Sequence, residues 1–196
     1  MGTVTALQNP RAREFWRDLG TCDHAVQIYG DEATFMDALE GFVSSGLRNR
    51  ESVVLMSTAP HLHELEKRLR GKWLDIDRAR WEERYVAVLA TETLAKFMVN
   101  DEPNEALFRQ TAGDLLDRAR GRTGRSVRAF GEMVAILWAQ GNPGAAIKIE
   151  KLWNRLQAIE GFPLFCAYPR MGFAEDASAS IQLVCAQHSR TVPGYR

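Results

Sequence analysis

The sequence predicts an α/β fold: a three-layer, mostly parallel sheet of about five or more strands, with helices on both faces. Two observations carry most of this. Short β-branched or aromatic runs alternate with longer segments whose apolar residues recur at helical spacing, and the strand–helix order repeats about five times. The run Val53-Val54-Leu55-Met56 is also unbroken apolar, as expected of a parallel strand covered on both faces.

Residues 1–22 read as a leader or partner-docking helix. Residues 11–19 place Phe15, Trp16 and Leu19 on one side, and packing on the domain or on a partner are both open. Residues 23–196 read as a single domain. His24-Ala25-Val26-Gln27-Ile28-Tyr29 is the first strand, ended by Gly30-Asp31, with Asp31 as N-cap of a helix carrying Phe35, Leu39, Phe42, Val43 and Leu47. Gly46 is expected to close that helix. Residues 52–57 form strand two. Pro60 opens a helix with Leu62, Leu65 and Leu69 inward and Gly71 at its end. A short extra helix over 74–81 precedes strand three at 84–89. Thr91 caps a short helical piece, and a loop containing Pro103 follows. A long helix over 104–121 leads to strand four, 127–130. Residues 132–140 are helical, Gly141-Asn142-Pro143-Gly144 breaks them, and 145–159 form a helix with Ile149, Leu152, Leu156 and Ile159 on one face. Strand five is 163–167. A last helix covers about 177–188, with a frayed end at Pro193.

Composition narrows the function classes. The 196 residues balance 25 acids against 25 bases, so net charge offers nothing to nucleic acid. Arg118, Arg120, Arg122 and Arg125 read as a solvated helix end and loop. No stretch reaches the length of a membrane span. Three cysteines and no secretory signal favour the cytoplasm.

In such a sheet, ligands sit at the carboxyl ends of the strands. The rim is then Tyr29-Gly30, Ser57-Thr58, residues 89–91, Gly131-Glu132 and Ala167-Tyr168. The turn after strand one has one glycine, no lysine, and the acids Asp31 and Glu32 where phosphate would sit. That excludes a working phosphate loop, and no Gly-x-Gly-x-x-Gly is present. Glu132 is either a rim ligand group or a surface acid at a helix N-terminus. Arg128 pairs with Glu132 or with another acid, or else faces a ligand. Tyr29 walls a pocket or lies in the core. His24 and Tyr29 stand roughly 17 Å apart along one strand, too far to share a small rim site, which makes His24 structural unless a pocket lies between layers. Cys166 reads as a buried thiol near a strand end. Cys22, His24, Cys185 and His188 offer zinc-ligand types without a familiar spacing, so no metal and no cofactor are expected. No sequence motif supplies a nucleophile with its base.

The pieces His24 to Tyr29, 42–55 with Gly46-Leu47 and Glu51, 128–133 with Gly131-Glu132-Met133, Glu150, Cys166-Ala167-Tyr168, and 185–188 together resemble the MEDS domain, the sensory domain of methanogen and methylotroph regulators of the DcmR type. The likeness runs from about 24 to 193. It implies a RecA/KaiC-like fold without a functional phosphate loop. It also implies a non-catalytic sensor of a small organic molecule that regulates a histidine kinase or a transcription regulator. His24, Tyr29, Arg128, Glu132, Cys166 and Tyr168 become the site residues. The chain leaves no room for an output module, so it acts alone, signals by association (a homo-oligomer included), or is part of a longer regulator. The alternatives are a protein–protein interaction module without a small ligand, and an enzyme using Glu132 as base.

Overall fold

The computed structural model describes residues 10–173 and 178–192. Among these, six parallel strands form one sheet, built from β1 (His24–Tyr29), β2 (Ser52–Ser57), β3 (Tyr85–Leu89), β6 (Val127–Gly131), β7 (Leu164–Pro169) and β8 (Arg190–Thr191). Their order across the sheet is β3-β2-β6-β7-β1-β8. Strand alternation sends residues to two cores. Ala25, Val53, Leu55, Phe130 and Phe165 face one layer, whereas Val26, Val54, Met56, Ala129 and Leu164 face the other.

Direction of travel decides which face each helix covers. From β1 to β2 to β3 the chain moves towards one edge, and α2 (Glu32–Arg48), α3 (Ala59–Gly71) and α4 (Ile76–Trp81) lie on the first face. From β3 the chain returns through β6 and β7 to β8. Its helices α5 (Ala90–Ala95), α6 (Glu105–Arg120), α7 (Met133–Ala139), α8 (Pro143–Glu160) and α9 (Ser178–Cys185) pack on the second face. A fixed crossover hand requires this change of face when direction reverses. The result is the three-layer α/β fold.

The helix ends follow local chemistry. The Asp31, Asn104 and Asn142 side chains accept from the backbone N–H three residues on, capping α2, α6 and α8. Gly121 and Gly161 close α6 and α8 at positive φ.

Among the differences from the sequence expectation, four concern the elements themselves, and Ile159, expected on the inward face of α8, is 75% exposed. Gly46 does not end α2, which continues to Arg48; the residue is needed there for space. A Cβ on Gly46 would lie 2.7 Å from Arg128 Cδ. The stretch around Pro103 is an antiparallel hairpin, β4 (Met98–Val99) and β5 (Glu102–Pro103), turned by Asn100 and Asp101 at positive φ. Strand five extends to Pro169, which places Cys166 in mid-strand rather than near its end. A sixth strand, β8, joins the edge at β1 through only two residues, too few to leave a periodic signal.

The helix α1 (Pro10–Arg17) lies against α2. Trp16 is buried against Phe42 and Phe165, over Gly41, where a Cβ would stand 2.7 Å from the indole.

Candidate functional site

The helices following β2 and β6 leave on opposite faces of two adjacent strands, which makes their carboxyl ends the switch point of the sheet. Glu132 stands there. Its N–H donates to Met56 O at 2.9 Å, continuing the β2–β6 ladder by one bond. Its carboxylate accepts from Ser57 Oγ at 2.5 Å and from Thr58 N–H at 2.9 Å. His61 Nδ1 comes within 2.7 Å of the other oxygen, though out of hydrogen-bonding alignment. His61 Nε2 meets Glu32, so an imidazole links an exposed acid to a buried one. Tyr29 stacks on Phe35, whose ring lies 5.0 Å from that of His61.

Electrostatics here follow burial and pairing. Burial alone would raise the Glu132 pKa, yet His61, Ser57 and the Thr58 N–H together lower it. Burial alone would lower His61, yet Glu132 and Glu32 raise it. Burial, with Glu132 and Glu32 nearby, raises the Tyr29 phenol. The switch point therefore holds an ionised, nearly buried carboxylate surrounded by the donors Ser57 and Thr58 and by His61. The Ser57 hydroxyl donates to this carboxylate and not to the imidazole, so the order Ser–Glu–His is not the arrangement in which a histidine activates a nucleophile. Across the rim, Asp31 occupies the α2 N-terminus, accepting from Thr34 N–H at 2.8 Å and from its hydroxyl at 2.7 Å. A phosphate at that helix end would meet an internal carboxylate already in place.

Arg128 is elsewhere. It lies in the first half of β6, about 13 Å of strand from Glu132, and takes the second option open to it, pairing with another acid. Its Nε binds Glu51 at 2.5 Å, and Nη1 donates to Phe42 O at 3.0 Å and Trp16 O at 3.3 Å. The guanidinium also lies over the Phe42 ring at 5.1 Å. This is a structural junction among α1, α2, β2 and β6.

A second cluster is buried under the opposite face. His24, Cys166 and Tyr168 project from β1 and β7 towards α8 and the turn after α9. There they meet Glu150, Asn154 and His188. Tyr168 Oη donates to Glu150 at 2.6 Å. His24 Nε2 lies 3.3 Å from Cys166 Sγ and 3.4 Å from Glu150 Oε2; His188 Nε2 lies 3.4 Å from Glu150 Oε1. Burial lowers His24 to about 4 against the pull of Glu150. Glu150 is fully buried, which alone would raise it, yet His188, His24 and Tyr168 bring it to about 2. Burial and Glu150 push the Cys166 thiol and the Tyr168 phenol up.

The six sequence-predicted residues thus separate into three places. Tyr29 and Glu132 share the rim, Arg128 lies within the first face, and His24, Cys166 and Tyr168 gather under the second. The zinc-type grouping of Cys22, His24, Cys185 and His188 does not assemble: Cys22 is exposed, Cys185 is half-buried, and the two histidines meet Glu150 and Cys166 instead. Sequence reasoning missed His61 and left Glu150 without a role. The available signals were a histidine in the first turn of the helix after a rim strand, and an acid beside the apolar stripe of α8.

A three-layer parallel α/β domain with a buried carboxylate at its switch point defines the class. The sequence matches the family described as MEDS, MEthanogen/methylotroph, DcmR Sensory domain, over residues 23–188, and the chain belongs to that family. No curated protein matches it significantly.

Proposed function

We propose that this sensory domain is non-catalytic, takes a small organic molecule bearing hydrogen-bond donors at the β2/β6 switch point, and passes the bound state to a histidine kinase or transcription regulator. The carboxylate of Glu132 at the switch point carries this reading. A donor-bearing ligand competes with His61 for that carboxylate, and releasing His61 loosens the first turn of α3. That helix buries only Leu65 and Leu69, so it moves at small cost. Asp31 at the α2 N-terminus argues against a nucleotide phosphate as ligand. The Ser–Glu–His order argues against acyl transfer. Three free cysteines suit the cytoplasm, and no helix among the described residues is long and apolar enough to cross a membrane.

The test is thermal unfolding of the protein against a panel of small alcohols, amines, amides and halogenated hydrocarbons. A stabilising compound should lose its effect in Glu132→Gln. A panel without any stabiliser, or a stabiliser indifferent to Glu132→Gln, would overturn the reading.

A second reading, an interaction module without a small ligand, is favoured by Trp73 and Trp81, which stand fully exposed just before and at the end of α4. Under it, replacing both tryptophans by alanine abolishes regulation of the partner while Glu132→Gln leaves it intact.

A further inference from the structure

Within the cluster under the second face, Cys166 and Tyr168 donate to Glu150, while both histidines direct their Nδ1 hydrogen bonds outward. His24 Nδ1 lies 2.8 Å from Asn154 Oδ1. The Asn154 amide is oriented by its own NH2, which donates to Gln187 O at 2.9 Å, so the oxygen faces the imidazole and Nδ1 carries the proton. His188 Nδ1 likewise donates to Val184 O at 2.7 Å. With Nδ1 engaged outward, each ring turns Nε2 inward, towards Glu150 and Cys166. His188 Nε2 is fully buried there and has no hydrogen-bond partner. Two imidazole nitrogens, a carboxylate and a sulfur converge, and their ligating atoms all lie within 4.8 Å of one another. Such a set is held together either by protons shared with Glu150 or by a cation standing between its members.

The spacing matches one kind of cation. A tetrahedral zinc ion with bonds of about 2.0–2.3 Å separates its ligand atoms by about 3.3–3.8 Å. His24 Nε2, Cys166 Sγ and Glu150 Oε2 form a triangle of 3.3, 3.4 and 3.5 Å, and His188 Nε2 approaches Glu150 at 3.4 Å from another side. The outward N–H bonds to Asn154 and Val184 are the supports that ligating histidines usually have. Tyr168 orients the carboxylate.

We propose that His24, Glu150, Cys166 and His188 bind one divalent transition-metal ion of borderline softness, zinc fitting best. Nitrogen and sulfur ligands disfavour magnesium and calcium, which prefer all-oxygen sites. On binding, the Cys166 thiol releases its proton to solvent. The thiolate and the Glu150 carboxylate then neutralise the ion, so the buried site carries no net charge. Four protein ligands leave no open position, which makes the ion structural. It joins β1, β7 and α8 to the segment after α9. Entry is through that segment, because α9 buries only Val184.

Cobalt(II) titration of the chelator-treated, full-length protein tests this. The expected result is saturation at one equivalent, with intense visible d–d bands of a tetrahedral ion and a near-ultraviolet thiolate-to-cobalt band, all displaced by one equivalent of zinc. Cys166→Ser should lose the thiolate band and bind at least 10-fold more weakly, whereas Cys22→Ser and Cys185→Ser should titrate as the parent does. Absence of saturable cobalt uptake by the parent protein would overturn the proposal whatever the variants do. So would a thiolate band that survives Cys166→Ser and disappears with Cys22 or Cys185. The outcome is independent of whether an organic ligand occupies the Glu132 site.

Discussion

Glu132 and His61 hold each other in their charged forms, so the contact has a pH signature. The folded Glu132 pKa is lowered from 4.5, and its contribution is present above that value and lost as pH falls through the folded one. The folded His61 pKa is raised from 6.5, and its contribution is present below 6.5 and lost as pH rises through the folded value. The pair therefore stabilises most between about pH 4.5 and 6.5. The urea midpoint of the parent protein should fall between pH 6 and pH 9. Glu132→Gln should flatten that fall, since Glu132 is the main partner raising His61. An unchanged slope in Glu132→Gln would remove the pair as its source. Neither partner was visible as a pair beforehand. Glu132 is marked by its position after a strand and a glycine, but His61 is one of two histidines in a polar helix, and only the fold brings it back to the rim.

At the scale of elements, α1, α2 and β6 depend on one another through two glycines and two large side chains. Trp16 fits over Gly41, and Arg128 fits over Gly46 while donating to the carbonyls of Trp16 and Phe42. Trp16→Ala should cost about 3–5 kcal/mol by chemical denaturation, the range for deleting a buried aromatic. Arg128→Met removes the side-chain donor to Trp16 O and to the helical Phe42 O and leaves Glu51 without its cation, so it should cost about as much. Because the two residues share a contact, the double variant should cost less than the sum, and strict additivity would deny the coupling. Strand positions were legible because β-branched runs mark them directly: β1 and β2 match the expected ranges residue for residue. Gly46 was not, because a glycine late in an amphipathic segment looks the same whether it stops a helix or admits an arginine. Glu150 failed for a related reason. Periodicity marks Ile149, Leu152 and Leu156 as the inward stripe of α8. An acid beside that stripe looks solvent-facing until β7 and His188 close over it.

For the whole molecule, the change of crossover face separates two regions with different supports. The β3-β2-β6 side is held by continuous apolar strands and, at its rim, by the Glu132 contacts. The β1-β8 side is thinner. There β8 adds two residues, tied by Ser189 N–H to His24 O and by Val192 N–H to Val26 O, both at 2.9 Å. Beside the six-residue β1–β7 ladder, the cluster of His24, Glu150, Cys166 and His188 ties this edge and the segment after α9 to α8. If an ion occupies it, removing that ion should be felt unevenly. Hydrogen exchange after chelation should accelerate in α9, in the segment carrying His188 and in β8, while β2, β3 and β6 keep their protection. Binding to the folded protein alone would also raise its thermal midpoint with zinc concentration. Acceleration spread evenly over all strands would mean that the cluster supports the fold as a whole. No change at all would mean that apolar packing of Val184 and Val192 already holds the edge without help.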